Sequence, residues 1–298
     1  MYYTSSTYDV DEGFWQWGLL YNIMNIEILY YCYFIVFAFG AIVGSFLNVV
    51  ILRHNTGEAI VVGGSKCPAC AKKLKWHELI PIFSFLAQKG RCRECQSKIS
   101  WQYPIIEITT GLLFLLIFNL QFSIYNQFSI LTFTPIIYYW IIFSILIIIA
   151  VYDYYHQIIP DFFVYLFIGL SFLGLFGILS ADWRIGVWNF AAGIILFSFF
   201  GALWLFSRGT WMGFGDAKLA LGIGWFLGME KGILAVILSF WLGAIVGVFL
   251  LLWSKWKNGG KYGMKSKIAF GPFLVLGTII AFFVGDAIIR IFLHNFML

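Results

Sequence analysis

Charged residues are scarce in this sequence, because Asp, Glu, Lys and Arg together make up 11% of its 298 residues. An ordinary soluble protein is about 25% charged, so the deficit excludes a disordered chain and a cytosolic enzyme. Hydrophobic residues make up 61% of the chain, and the mean hydropathy is +0.88. Apolar residues fill too much of the length for a single membrane anchor. The composition therefore predicts an all-α polytopic membrane protein.

Basic residues are absent from the first 52 positions, and the first of them is Arg53. Residues 1–27 carry four acids and no base, whereas residues 53–103 carry nine Lys or Arg against three Glu. Because basic loops stay on the cytoplasmic side, we expect this loop inside and the N-terminus outside. The missing basic segment also argues against a cleaved secretory signal. The positive charge is thus an orientation signal, and we expect no nucleic-acid partner.

About eight apolar segments are candidates for transmembrane helices, since a crossing takes roughly 20 residues. The sixth is short and rich in glycine. With the N-terminus outside, eight spans place the C-terminus outside as well. They also bring residues 254–267, which hold five Lys and no acid, to the cytoplasmic side, and this supports keeping the sixth span. The segments are 28–52, 105–121, 136–152, 162–179, 185–206, 217–229, 233–253 and 268–293.

These spans divide the chain into four parts. We predict an external segment at 1–27, a first transmembrane helix at 28–52, a cytoplasmic insertion at 53–104 and a transmembrane domain at 105–298. The insertion between the first two spans is the polar part of an otherwise membrane-embedded protein.

Four of the five cysteines lie in this insertion as two Cys-x-x-Cys pairs separated by 21 residues. Each pair can present two thiolates to one ion, and two pairs complete the four-sulfur coordination of a structural Zn²⁺. Two disulfides are the alternative, and a reducing cytoplasm disfavours them. We therefore expect a closed zinc site with no open position for a substrate. Its predicted ligands are Cys67, Cys70, Cys92 and Cys95.

Carboxylates in or beside the predicted spans each cost several kcal/mol unless they are paired or hydrated, and four of them are informative. The topology places all four near the cytoplasmic face, so we expect them to share one water-accessible cavity. Asp161 follows a proline at the start of a predicted helix and could instead cap free backbone N–H groups. The four are Glu107, Asp153, Asp161 and Asp216.

Asp216 has the most specific setting, because Gly213 and Gly215 precede it and permit close approach of the backbone. We expect this Gly-Phe-Gly-Asp segment to be partly unwound and to line a cavity. Lys218 either pairs with a carboxylate or extends to the membrane interface. If Asp153 and Asp216 face each other, they hold one proton between them, as in an aspartic-protease dyad. The alternative is two interfacial carboxylates satisfied by nearby bases or water.

Several motifs together resemble the bacterial type IV prepilin peptidases. GSFLNVVILR resembles the signature at the end of that family's first span, and Ser65 to Glu107 is similar to its zinc-loop signature. DYYHQIIPD resembles its first aspartate motif, MGFGDAKL its second, and AFGPFLVLG its last signature. The motifs begin at Gly44, Ser65, Asp153, Met212 and Ala269.

The resemblance implies that Asp153 and Asp216 are the catalytic aspartates and that Asp161 has a supporting role. It also implies cleavage of type IV prepilins or pseudopilins after a glycine at the cytoplasmic face of the bacterial inner membrane. Family members with the zinc loop then N-methylate the new amino terminus with S-adenosylmethionine. This chain departs from the family at His54-Asn55, Gln102 and Trp211.

The site of the methyl donor is not recognisable, because the sequence has no glycine-rich adenosyl motif. Polar residues at the loop and span ends could line one, namely Ser45, Asn48, Arg53, Gln102 and Glu107.

Two further functions remain open. A proton-coupled transporter would use the carboxylates as protonation sites near the bilayer midplane. A scaffold of a pilus or type II secretion machine would use the zinc loop to dock a partner.

Overall fold

The computed structural model describes residues 11–60, 63–125, 130–177, 187–256 and 269–296. Over these residues the chain forms nine α helices and one 3-10 turn, with isolated β bridges but no strand. The helices are α1 (Asp11–Arg53), α2 (Phe83–Ala87), α3 (Gln102–Tyr125), α4 (Ile130–His156), α5 (Asp161–Leu175), α6 (Val187–Ser207), α7 (Phe214–Leu227), α8 (Met229–Trp256) and α9 (Gly271–Phe296), and the 3-10 turn is Trp76–Glu78. The all-helical prediction is confirmed.

Each of the eight predicted spans coincides with a helix, and six of these helices are long and apolar enough to cross a membrane. The fourth and sixth are not: α5 has 15 residues and α7 has 14. At about 1.5 Å per residue they reach only about 21 to 22 Å, short of a hydrocarbon core about 30 Å thick. The prediction of about eight membrane helices is therefore confirmed in number, but α5 and α7 are too short to cross the hydrocarbon core by themselves.

Helix α7 is short because it lies inside the protein, where it need not match the bilayer. It packs against α6 and α5 through small residues. A Cβ on Gly224 would lie 2.6 Å from the Cα of Gly193, and one on Gly222 would lie 2.5 Å from the Phe167 ring. Neighbouring helices thus pack closely against α7, with the backbones of α6 and α7 in contact at Gly193 and Gly224, and they bury most of its residues.

Helix α1 is longer than predicted. The apolar part, Leu29–Arg53, agrees with the predicted span at 28–52, but the helix continues back to Asp11. The predicted external segment at 1–27 is therefore helical from Asp11 onward, and its first ten residues lie outside the described part. Most of the predicted basic loop at 254–267 also lies outside it.

Helix α4 forms the centre of the bundle. Its buried face carries Ile142, Leu146 and Ile149, all of which are inaccessible to solvent. These positions are separated by four and three residues, the spacing of one helical face. The next position on that face is Asp153, so the helix that packs the core also brings a carboxylate to its end.

Several helix ends meet at the same end of the bundle. Asn55, just after α1, donates a hydrogen bond to the Tyr152 hydroxyl of α4 over 3.4 Å. Ile159, between α4 and α5, lies against Gly215 in the first turn of α7. The start of α9 contacts the end of α4 through Gly271. The insertion after α1, the loops before α5 and α7, and the start of α9 are therefore on one side of the bundle.

Candidate active site and metal centre

Asp153 lies in the last turns of α4 and is 4% exposed. Its Oδ2 accepts a hydrogen bond of 2.9 Å from the backbone N–H of Gly271. Gly271 is the first residue of α9, where backbone N–H groups have no partner within the helix. The Asp153 carboxylate therefore accepts a hydrogen bond from an N–H group that has no partner within α9.

Gly271 has no room for a side chain. A Cβ at this position would lie 2.6 Å from Asp153 Oδ2 and 3.2 Å from its Cγ. Sequence reasoning noted the segment that begins at Ala269 but assigned no role to Gly271. The signal that could have identified it is the Gly-Pro pair at a helix start, since proline is favoured in the first helical turn and glycine permits close approach.

Asp216 is the third residue of α7 and is 6% exposed. Its Oδ2 accepts a hydrogen bond of 3.2 Å from the backbone N–H of Gly213. Its Oδ1 is buried and has no partner among the described residues. Asp153 is near enough to Asp216 for the two carboxylates to interact electrostatically. The structure therefore brings the two aspartates together, and each binds a backbone N–H at a helix start through one oxygen.

The two glycines before Asp216 have different roles. Gly213 precedes the helix in an extended conformation with φ −76° and ψ 151°, which any residue can adopt. Gly215 is already helical, and a Cβ there would lie 2.9 Å from the Cβ of Ile159. The expected unwinding is thus confined to the residues before Phe214, and close packing requires glycine at the second position.

Asp161 and Lys218 form an ion pair between α5 and α7. The Lys218 Nζ lies 2.6 Å from Asp161 Oδ1 and 5.0 Å from the centre of the Tyr165 ring. The N-cap position of α5 is Pro160, so Asp161 is not the capping residue that the sequence allowed. The pair joins the first turn of α5 to the second turn of α7.

Glu107 is buried in α3 and makes its contacts elsewhere. Its Oε2 accepts a hydrogen bond of 2.7 Å from the backbone N–H of Ile82, and a second bond joins it to Ser45 of α1. Ile82 has a positive φ of 64°, an unusual conformation for a β-branched residue. Glu107 therefore fixes the insertion to α1 and α3, and the expectation that it shares a cavity with the aspartates is not supported by its contacts.

The other polar residues considered for the methyl donor have structural partners. Asn48 donates to the Tyr103 carbonyl over 3.3 Å and accepts from Gln102 over 3.3 Å. Arg53 donates to the carbonyls of Ala59 and Gly64 over 2.8 and 2.6 Å. These bonds hold the insertion against the ends of α1 and α3.

The four predicted zinc ligands form one cluster. Their sulfur atoms all lie within 4.8 Å of one another, and those of Cys67 and Cys95 are 3.8 Å apart. Tetrahedral coordination with Zn–S bonds of about 2.3 Å requires sulfur atoms about 3.8 Å apart. The four thiols therefore fit a structural Zn²⁺.

The two Cys-x-x-Cys turns have the same local geometry. The backbone N–H of Cys67 donates to Lys72 and that of Cys92 to Ser97, both over 2.9 Å. Hydrogen bonds from the backbone N–H groups of Cys70 and Ala69 lower the pKa of the Cys67 thiol to about 6. This shift favours the thiolate, which is the form that binds metal.

Comparison with known proteins agrees with these motifs. Residues 38–121 match the bacterial peptidase A24 N-terminal domain, and residues 140–248 match the type IV leader peptidase family. No solved structure matches the chain.

Curated relatives match over most of the chain. A prepilin leader peptidase/N-methyltransferase of Bacillus subtilis is 33% identical over 261 residues, which cover 87% of this chain and 97% of the relative. One of Legionella pneumophila is 30% identical over 93% of this chain and 99% of its own length. One of Myxococcus xanthus is 51% identical over 78 residues, 26% of this chain and 23% of the relative. The predicted family is thereby confirmed, and the chain belongs to the type IV leader peptidase family.

Proposed function

We propose that this protein is a membrane-embedded aspartic endopeptidase that removes the leader of type IV prepilins or pseudopilins. Methylation of the new amino terminus with S-adenosylmethionine follows the cleavage. The observation that carries the proposal is the pair of buried aspartates, Asp153 and Asp216, at one end of the bundle. The peptidase and methyltransferase activities in the relatives' names support it.

The geometry suits an aspartic dyad. Two carboxylates close together do not both ionise easily, so the pair holds one proton near neutral pH. The ionised member accepts a proton from water as the water oxygen attacks the peptide carbonyl. The protonated member donates its proton to the carbonyl oxygen, and a proton then passes to the leaving amine as the C–N bond breaks.

The burial of Asp216 favours this chemistry. Its Oδ1 has no partner among the described residues, and a buried oxygen without a partner is costly unless water or substrate fills the place. Gly213 and Gly271 each hold the other oxygen of one aspartate. The free oxygens are therefore the ones available to the reacting water and the peptide bond.

The position of the dyad suits a substrate with a short leader and a hydrophobic helix. Asp153 lies near the end of its span, and Asp216 lies in the first turn of α7. A substrate helix lying in the membrane would place the peptide bond just before it at this depth. No observation favours a transporter, which would need its carboxylates near the midplane. A scaffold would not need the aspartates at all.

We place the protein in the bacterial inner membrane as a multi-pass protein, with insertion and active site in the cytoplasm and both termini outside. The nine basic residues between 53 and 103 support this orientation. The four cysteines would hold Zn²⁺, which stabilises the insertion by joining its two turns. When bound, S-adenosylmethionine supplies the methyl group, and we assign no residues to its site.

The test of the peptidase is substitution of the dyad. We expect Asp153→Asn and Asp216→Asn each to abolish prepilin cleavage in detergent, measured by gel shift, because neither amide can exchange the proton. The matched control is Asp286→Asn, which alters an aspartate paired with Lys231 at 2.7 Å between α8 and α9. This control retains cleavage, and all three variants retain their zinc content. Normal cleavage by either dyad variant would refute the proposal.

Methylation is tested separately by mass spectrometry of the cleaved substrate. We expect one added methyl group that depends on S-adenosylmethionine. The double variant Cys67→Ser/Cys92→Ser separates two roles of the insertion. Loss of methylation alone would assign the insertion to the second reaction, and loss of both activities would mean that it organises the whole fold.

A further inference from the structure

A cavity of about 430 Å³ lies on the insertion, away from the aspartates. Three bases and a group of apolar side chains surround it. The apolar part includes Phe85, whose ring centre is 4.9 Å from that of Trp101. The lining residues used below are Lys89, Arg91, Lys98, Phe85, Leu86 and Trp101.

The backbone holds the basic wall in place. Arg91 and Lys98 face each other across an antiparallel bridge beside the second Cys-x-x-Cys turn. The N–H of Gly90 donates to the Phe85 carbonyl over 2.9 Å, and its carbonyl accepts from Ile99 over 2.8 Å. The backbone that carries the three bases is therefore held in place before any ligand binds.

Acidic residues of the insertion do not neutralise these bases. Glu78 and Glu94 both pair with Lys72, at 3.4 and 3.2 Å, and Glu58 pairs with Arg53 at 3.5 Å. Within the described residues no ion pair includes a base of the cavity. The cavity thus has three positive charges available to an anion.

The apolar side of the cavity continues onto the lipid-facing surface of α3. Trp101 is 68% exposed and directly precedes the membrane span Gln102–Gln121. Exposed apolar residues then recur along the span at helical spacing, so they lie on one face of α3. They are Ile105, Ile108, Leu112 and Leu116. Tryptophan at such a boundary is typical of the level of the lipid headgroups.

We propose that this cavity binds the headgroup phosphate of an anionic phospholipid whose acyl chains lie along the exposed face of α3. The bound lipid fixes the insertion on the membrane surface. Lys89, Arg91 and Lys98 supply the charge that selects an anion. Trp101 and Leu86 supply apolar contacts that a free phosphate ion would not use. A basic leader peptide or the sulfonium methyl donor carries positive charge and suits this wall poorly.

The test uses the full-length, zinc-loaded protein in detergent and short-chain phosphatidylglycerol as the probe, with binding followed by native mass spectrometry. The test variant is Lys89→Gln/Arg91→Gln/Lys98→Gln. Each basic residue near a membrane surface contributes roughly a fivefold gain in affinity. We therefore expect the triple variant to bind phosphatidylglycerol at least tenfold more weakly.

The first Cys-x-x-Cys turn offers a matched control. Lys66 and Lys73 face each other across the equivalent bridge, and both are exposed, as is Lys75. The variant Lys66→Gln/Lys73→Gln/Lys75→Gln removes the same charge at a similar position relative to the zinc cluster. We expect its affinity to stay within twofold of the parent. Zinc content identifies any variant that is misfolded. The double variant Lys89→Arg/Lys98→Arg keeps all three positive charges beside Arg91 and should retain binding.

Three outcomes would overturn the proposal. Equal weakening by both triple variants would mean that only overall charge attracts the lipid. Equal binding of phosphatidylcholine would mean that the cavity does not select an anion. Binding of glycerol phosphate as tight as that of phosphatidylglycerol would make this a site for a free phosphate.

Discussion

Replacing Gly271 by alanine tests whether the aspartate site depends on the start of α9. The added Cβ would lie 2.6 Å from Asp153 Oδ2, whereas ordinary contact begins at 3.4 Å. The atom it meets is the end of a side chain, which can rotate away. We therefore expect the damage to fall on the position of the carboxylate and to leave the fold largely intact.

Two independent estimates give the size of the expected loss of activity in Gly271→Ala. Moving Asp153 away loses its 2.9 Å bond from the Gly271 N–H, and a bond to a charged group contributes about 1.5 to 3 kcal/mol. This corresponds to roughly 10- to 150-fold in rate at about 1.4 kcal/mol per factor of ten. A displacement of about 1 Å in a catalytic group likewise costs about 100-fold. We expect kcat/KM for prepilin cleavage to fall about 100-fold.

The assay compares cleavage by Gly271→Ala and by Gly201→Ala in the same detergent. Gly201 lies in α6, and a Cβ there would meet no atom of another helix within 4 Å. Alanine is therefore tolerated at this position, and we expect activity to be retained. Thermal unfolding and zinc content report whether each variant is folded. A folded Gly271→Ala protein with kcat/KM within threefold of the parent would refute the reasoning.

Three further predictions concern neighbouring contacts. Gly215→Ala should lower the unfolding temperature and slow cleavage, since its Cβ meets the Cβ of Ile159 at 2.9 Å; an unchanged unfolding curve would contradict this. In a double-mutant cycle of Lys218→Gln and Asp161→Asn, the coupling in unfolding free energy should not exceed about 1 kcal/mol, because the pair is partly exposed. Gln96→Gly should slow zinc release to a chelator, because Gln96 has a φ of 56° and a left-handed residue costs about 1 kcal/mol; faster release would count against it.

The position of Asp153 was predictable to a large degree. The apolar run of α4 has a helical period, and its buried positions lead to the aspartate at the end of the helix. The zinc ligands were equally predictable, because two Cys-x-x-Cys pairs indicate a metal site without knowledge of the fold. The role of Glu107 was not predictable from the sequence, because its partners are the backbone of Ile82, 25 residues away, and Ser45 on another helix.

The sequence by itself determined the class of protein, the helices, the polar insertion and the cysteine cluster. These features follow from composition and from contacts that are local in the chain. Only the tertiary structure decided that Asp216 lies near Asp153, that the Gly271 N–H binds Asp153, and that α7 is too short to cross a bilayer alone. The physical reason is that each of these features depends on packing between helices that are far apart in the sequence. The hydropathy of a segment does not show which other helices will be its neighbours.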